Sequence, residues 1–143
     1  MIFKKLFKRS KDGSVMVEAA LVIPLLLGVT FFIIEFGNVL YISNSLSQVA
    51  RTAARYASVT PAYTQQGAYD ASGASSLLKN ASTKLTLTIT PSPGTAKTIG
   101  TKITVSVKYS YTPIINPFGL LGSNKTWAPV LNSASVSRSE VGS

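Results

Sequence analysis

The side chains that usually perform chemistry in proteins are few in this sequence. It contains no cysteine and no histidine, which excludes a thiol nucleophile, an imidazole base and any metal site built from either residue. A hydrolase that works with two carboxylates would have to assemble its pair from distant parts of the chain. We therefore expect no enzymatic activity, no cofactor, no metal site and no small-molecule substrate. The acids are Asp12, Glu18, Glu35, Asp70 and Glu140.

The formal net charge of +9 does not by itself indicate nucleic-acid binding. Most of the basic residues beyond the N-terminal cluster are scattered singly, and scattered lysines do not form a patch that follows a phosphate backbone. We expect no nucleic-acid partner. The N-terminal cluster contains Lys4, Lys5, Lys8, Arg9 and Lys11.

A long apolar segment, residues 13–42, follows this basic cluster. No charged residue occurs between Ala19 and Ile34, and the apolar length of about 20 residues is enough to cross a hydrocarbon core of about 30 Å as a helix. Only a helix can do so as a single segment, because it pairs its backbone polar groups internally. The sequence predicts a transmembrane helix over residues 14–42, with a kink at Pro24 because proline lacks the amide donor.

Two carboxylates interrupt the apolar segment, Glu18 near its start and Glu35 near its end. Glu35 is typical of a glutamate at the far membrane interface, although it could also contact a partner. Glu18 is either a functional group that needs a cationic partner or a side chain that reaches the near interface.

The position of the basic cluster predicts the orientation of the span. Positive charge next to a span stays in the cytoplasm, so we expect residues 1–13 inside and the rest of the chain outside. A secretory signal peptide also has a basic head and an apolar stretch. The apolar pattern here continues through Ile42 without a small-x-small cleavage site, which favours a membrane anchor in contact with inner-membrane lipids.

The helix is expected to continue beyond the membrane. Apolar residues recur at spacings of three and four over residues 43–60, and no proline or glycine occurs between Gly37 and Pro61. Arg51 and Arg55, four residues apart on one helical face, could bind a partner carboxylate or form a solvated face.

Residues 61–143 are predicted to form a small α+β extracytoplasmic domain. We expect one short helix over about residues 65–80, two strands with a period of two around residues 85–89 and 103–111, and a third strand from Trp127 to about Arg138. The third strand carries Ala134 and Val136 on one face and serines on the other. A three-stranded antiparallel sheet packed on the helix would hide both apolar faces.

Two further features of this domain can be interpreted. Tyr109 and Tyr111 share the apolar face of the second strand, which predicts a place in the core. Residues 112–125 are apolar but rich in proline and glycine, and they either pack under the sheet or contact a partner.

The N-terminal residues resemble a known family. Gly13-Ser14-x-x-x-Glu18 before a long apolar helix resembles the processing signal of type IV pilin-like proteins. The run from Gly13 to Ser58 is more closely similar to TadE-like proteins, minor pilins or pseudopilins of the bacterial tight-adherence (Tad) system. The residues that carry the resemblance are Gly13, Glu18, Pro24, Glu35-Phe36-Gly37 and Ala50-Arg51-x-x-x-Arg55.

The resemblance implies a function in assembly. A prepilin peptidase would remove the leader between Gly13 and Ser14, and Glu18 would then pair with the new terminal amine of a neighbouring subunit. The expected partners are the peptidase, other pilin or pseudopilin subunits and the pilus assembly platform, at the bacterial inner membrane or in a surface pilus. The alternative is a permanently anchored adaptor whose outer domain binds a partner.

Overall fold

The first element of the structure is a single helix, α1 (Lys11–Val59), of 49 residues. The computed structural model describes residues 11–114 and 128–142, with side chains described from residue 15 onward. The chain divides into two compact units, Met1–Phe36 and Gly37–Ser143. The prediction that the helix continues past the apolar segment is confirmed, and Pro24 lies inside α1 without interrupting the helix. The expected kink at Pro24 stays a prediction.

Three short helices follow α1 where the sequence predicted one. They are α2 (Gln65–Ala71), α3 (Ala74–Leu77) and α4 (Ala81–Lys84). Thr64 caps α2, because its side-chain oxygen accepts a hydrogen bond from the Gly67 amide at 2.9 Å. The residues before α3 and α4, Gly73 and Asn80, have φ values of 65° and 55°. These left-handed conformations interrupt a regular helix, and this explains why the helical spacing of the alanines and leucines did not produce one continuous element.

The sheet has three antiparallel strands in the order β1 (Leu85–Thr90), β2 (Lys102–Ser110) and β3 (Val130–Arg138). Leu87 lies opposite Val107 in the first pair, and Val107 lies opposite Ser133 in the second. The Thr90–Pro91 peptide bond at the end of β1 is cis. The α+β fold and the antiparallel arrangement predicted from the sequence are confirmed. Trp127 and most of the apolar stretch 112–125 lie outside the described residues.

The core of the second unit lies between α1 and the inner face of the sheet. The apolar stripe of α1 is made mostly of small residues, and the sheet supplies branched and aromatic side chains. Tyr109 and Tyr111 are buried, as the sequence predicted. From the helix come Ile42, Leu46, Val49, Ala50, Ala53, Ala54 and Ala57, and from the strands Leu87, Ile89, Ile103, Val105, Val107 and Tyr109.

The third strand packs in the opposite sense to the one suggested by its apolar residues. Val136 is 56% exposed and Ala134 is also on the outer face, whereas the serines point toward α1. The Ser133 hydroxyl donates to the Ser47 hydroxyl at 3.3 Å, and the Ser137 hydroxyl donates to the Ala54 carbonyl at 2.8 Å. The expectation that the sheet hides the apolar face of this strand was therefore wrong, because the flank of α1 facing β3 offers hydrogen-bonding groups.

A buried lysine holds the C-terminal end of α1. Lys97 is 2% exposed, and its ammonium group donates to the carbonyls of Ala57 and Thr60 at 2.8 and 2.6 Å. The same nitrogen lies 4.7 Å from the centroid of the Tyr63 ring. A cation at this end of a helix satisfies carbonyls that have no intrahelical partner and interacts favourably with the helix dipole. Burial lowers the pKa of Lys97 below its usual value.

The buried tyrosines connect the short helices and the loops to this core. The Tyr109 hydroxyl donates to the Lys79 carbonyl at 2.9 Å, and the Tyr63 hydroxyl donates to the Pro91 carbonyl at 2.7 Å. Burial raises the pKa of both phenols above the ordinary value, so both remain neutral donors at physiological pH. On α1, Asn38 donates through its amide to the Tyr111 hydroxyl at 3.0 Å.

Val105→Ala and Val136→Ala form a matched test of the two faces of the sheet. Val105 is fully buried, so its truncation should lower the free energy of unfolding by about 2 kcal/mol through lost apolar burial and a residual cavity. Val136→Ala should cost less than about 0.5 kcal/mol, as expected for an exposed position. Denaturant unfolding of the full chain in detergent micelles measures both, and equal losses would contradict the outward orientation of Val136.

Lys97→Met should destabilise the second unit by about 1–3 kcal/mol, because the carbonyls of Ala57 and Thr60 lose their charged donor. Methionine retains much of the apolar stem, so the change mainly removes the ammonium group. Lys102→Met is the matched control, since Lys102 is exposed, and it should change stability by less than about 0.5 kcal/mol. Thermal unfolding of the full chain in micelles provides the comparison, and similar midpoints for the two variants would refute the capping role.

Candidate assembly site

The first unit presents an exposed apolar helix surface. One helix in the described residues is long and apolar enough to cross a membrane, and its most apolar window has a mean hydropathy of 2.5 with no residue buried. Leu21, Leu25 and Phe32, for example, are 72%, 64% and 70% exposed. An uncovered apolar surface of this length requires lipid or other helices around it.

Local contacts within this helix are those of a regular membrane-type segment. The Thr30 hydroxyl donates to the Leu26 carbonyl one turn earlier at 2.8 Å, which satisfies the hydroxyl without an external partner. Phe32 and Phe36 are four residues apart and stack with centroids 6.2 Å apart and an interplanar angle of 11°. An added Cβ at Gly28 would meet no atom within 4 Å, so the surface at Gly28 is open to a neighbouring helix.

The residues predicted to direct processing and assembly all lie on α1. Gly13 and Ser14 belong to its first turn, and the side chain of Glu18 follows on the exposed surface. Glu35 is partly buried. The structure shows these residues on one continuous helical segment, but their roles in cleavage and assembly stay predictions.

Arg51 and Arg55 lie in the second unit, on the exposed side of α1. Arg51 continues the helical stripe of Ser47 and Ala54, both of which contact β3, and Arg55 follows one turn later. Within residues 15–114 and 128–142, neither guanidinium forms a salt bridge. The predicted contact residues thus lie partly on the apolar segment of the first unit and partly on the exposed side of α1 in the second unit.

Sequence reasoning missed Lys97 as a residue of importance. It lies in a connection rich in proline, glycine and threonine, where a lysine is usually solvated, and nothing in the local pattern signals burial. Its position depends on contacts with residues 37 and 40 positions away, to which a local pattern does not respond.

Comparison with known families identifies the N-terminal part of the chain. Residues 13–55 match the sequence model of the family described as TadE-like protein. The match begins at Gly13 and ends at Arg55, so it contains the apolar helix surface, Glu18 and both exposed arginines. Comparison with curated proteins and with solved structures gives no match.

The family match covers less than a third of the chain, and residues 56–143 lie beyond it. Taken together with the uncovered apolar helix, it supports a membrane-anchored protein. Over residues 13–55 this chain is similar to TadE-like proteins, as the resemblance indicated.

Proposed function

We propose that this chain is a minor pilin or pseudopilin that takes part in assembling an adhesive Tad pilus. It is anchored in the bacterial inner membrane with its N-terminus in the cytoplasm, and a prepilin peptidase cuts it between Gly13 and Ser14. It acts through helix bundling and domain contacts and performs no catalysis. The observation that carries the proposal is the TadE-like segment 13–55, which combines Gly13, Glu18 and an uncovered apolar helix.

The charges of this segment support an assembly function. Cleavage would create an amine at Ser14, four residues before the Glu18 carboxylate. Within one helix bundle, the amine of one subunit and the carboxylate of its neighbour would offset the cost of burying each other. The same pair would also fix the axial offset between adjacent helices, because only one offset brings the two charges together.

Removal of the leader also changes how the chain is held at the membrane. Residues 1–13 contain five of the fourteen basic residues of the chain. Basic residues beside a span are attracted to anionic lipids of the cytoplasmic leaflet, each by about 1 kcal/mol. Cleavage would therefore weaken retention at the cytoplasmic face and favour extraction of the helix into an assembly.

Cleavage is tested by N-terminal sequencing of the membrane form after co-expression with a prepilin peptidase. We expect a mature chain that starts at Ser14, and we expect Gly13→Val to leave Met1 or the initiator-processed Ile2 at the start. Gly28→Val, the same substitution at another glycine of the same helix, is the control and should mature normally. An intact leader in the wild-type chain would instead favour the permanently anchored adaptor.

Glu18→Gln separates maturation from assembly. The substitution keeps the size and polarity of the side chain but removes the charge that would neutralise the amine of a neighbour. We expect normal cleavage and at least about a tenfold loss of the protein from sheared surface pili, since an unpaired buried charge costs several kcal/mol.

The matched control for this experiment is Glu35→Gln, the same chemical change at the other end of the apolar segment. It should leave the amount in sheared pili within about twofold, because the terminal amine lies near Glu18 and far from Glu35 along the helix. Quantitative mass spectrometry of sheared pili and of membranes measures both variants. Equal effects of the two changes, or none from Glu18→Gln, would show that the proposed pair does not direct assembly.

A further inference from the structure

The register of the sheet determines which main-chain groups of β3 face its open edge. In antiparallel strands the residues that bond to one neighbour alternate with those that point away from it. The Tyr111 amide donates to the Pro129 carbonyl at 3.1 Å, and the Ser139 amide donates to the Thr101 carbonyl at 2.8 Å. Odd-numbered residues of this strand therefore bond to β2. The even-numbered residues direct their N–H and C=O groups to the open edge, namely Val130, Asn132, Ala134, Val136 and Arg138.

The two edges of the sheet differ in how they are covered. On β1 the Gln65 side-chain amide donates to the Leu87 carbonyl, so α2 covers part of that edge. On β3 no hydrogen bond joins the five edge-facing residues to any other described part of the chain. No proline, glycine or lysine interrupts Val130–Arg138, and such residues are the usual protection of an exposed edge. Among the described residues nothing pairs with this edge, so it can serve as a template for one more strand.

Two exposed arginines of α1 follow the helical stripe that contacts β3. Ser47 and Ala54 contact β3 from below, and the Glu140 amide donates to the Ser58 carbonyl at 2.9 Å. Arg51 lies on the same helical stripe but farther around the helix from the centre of the buried face. Arg55 follows one turn later, and both arginines are exposed.

The spacing of the two arginines matches the period of a strand. Four helical residues advance by about 6 Å, and two strand residues advance by about 6.6 Å. Side chains at alternate positions of an added strand point to the same face. Acidic residues at positions i and i+2 of that strand would therefore match the spacing of Arg51 and Arg55.

We propose that the open edge of β3 binds an extended acidic segment of another protein by strand addition. Main-chain hydrogen bonds to the edge-facing residues of β3 provide the docking, and Arg51 and Arg55 select glutamate or aspartate at alternate positions of the partner. The charge of the second unit agrees with such a partner, because residues 37–143 contain nine lysines and arginines against only Asp70 and Glu140. The proposal rests neither on leader cleavage nor on incorporation into a pilus.

A second copy of this chain fits the same edge less well. Pairing two β3 strands edge to edge in the antiparallel sense would bring Arg51 and Arg55 of both copies to one interface. Like charges brought together in this way oppose association, whereas an acidic segment is attracted. The acidic partner is therefore the occupant that the charges favour.

The experiment uses the full chain in detergent micelles and an end-capped peptide that alternates threonine with glutamate. Binding is followed by fluorescence anisotropy of a labelled peptide at two salt concentrations. A peptide of the same composition with its glutamates in one block is the first control, and it should bind at least about tenfold more weakly. Equal affinity for the two peptides would overturn the proposal that the arginines select acidic residues at alternate positions.

Peptides methylated on backbone nitrogens distinguish strand addition from charge attraction alone. Methylation of every second amide removes either the donors that face β3 or those that face away, and the acidic side chains remain in both peptides. We expect one methylation pattern to abolish binding and the other to retain it. Retained or lost binding with both patterns would overturn the proposal.

Variants of the chain assign the binding to the named residues. Ala134→Pro removes an edge-facing donor without breaking a bond to β2, and it should weaken binding at least about tenfold. Arg51→Glu should do the same, whereas Lys79→Glu, an equal charge change at an exposed residue elsewhere, should change affinity by less than about twofold.

Circular dichroism verifies that each variant is folded. If Ala134→Pro does not fold, the methylated peptides still test strand addition on the unmodified chain. An unchanged affinity in folded Ala134→Pro or in Arg51→Glu would refute the proposed site. Light scattering of the full chain measures its self-association, because a second copy of the chain is the competing occupant of the edge. Self-association that Ala134→Pro abolishes, without peptide binding, would assign the edge to a second copy and overturn the acidic partner.

Discussion

The second unit depends on the packing of α1 with the sheet, to which the helix contributes mainly small side chains. Ala50, Ala53, Ala54 and Ala57 are buried in the same core as the branched side chains of β2. Each alanine loses no side-chain entropy on burial, so the helix contributes rigid surface at little cost, and the strands provide most of the apolar volume. Tyr63 and Tyr109 connect two further segments to this core, because they donate to the carbonyl of Pro91 after β1 and to that of Lys79 between α3 and α4.

The same packing explains why β3 lies as it does. Its inward side chains are serines, which are small enough to sit beside the flank of α1 and which find hydrogen-bond partners there. Apolar side chains in their place would leave the Ser47 hydroxyl without one of its contacts and would crowd the helix. The exposed Ala134 and Val136 are a consequence of this arrangement, since alternate residues of a strand must face opposite sides.

Much of the fold was predictable because local periodicity reflects local burial. The period of two in β1 and β2 identified their buried faces correctly, and the spacing in α1 identified its stripe. In β3 the contrast between alanine and serine is too weak to determine which face is buried. The hydrogen-bonding groups on the facing side of α1 determine that the serines point inward. The burial of Lys97 could not be predicted from the local pattern, because it depends on the carbonyls of Ala57 and Thr60 at the C-terminal end of α1.

The candidate site also combines features that the local sequence predicts with features that depend on the fold. The length and apolarity of the membrane segment, the early Glu18 and the glycine before it are local properties, and they led to the TadE-like assignment. The open edge of β3 depends on the alternation of hydrogen bonds in a sheet whose pairing the sequence does not specify. The proposed partner of Glu18 lies beyond a single chain as well, since an amine at Ser14 would exist only after the proposed cleavage.

The direction of β3 has a mechanical consequence. Ser133 and Ser137 of the strand contact α1 at Ser47 and Ala54, and Glu140, two residues beyond the strand, contacts Ser58, so the helix and the strand run in the same direction and are joined at several successive points. A force along this part of α1 would load all these contacts simultaneously in shear. Contacts loaded together resist rupture better than contacts that open one after another, so the geometry suits a domain that is pulled by its own helix.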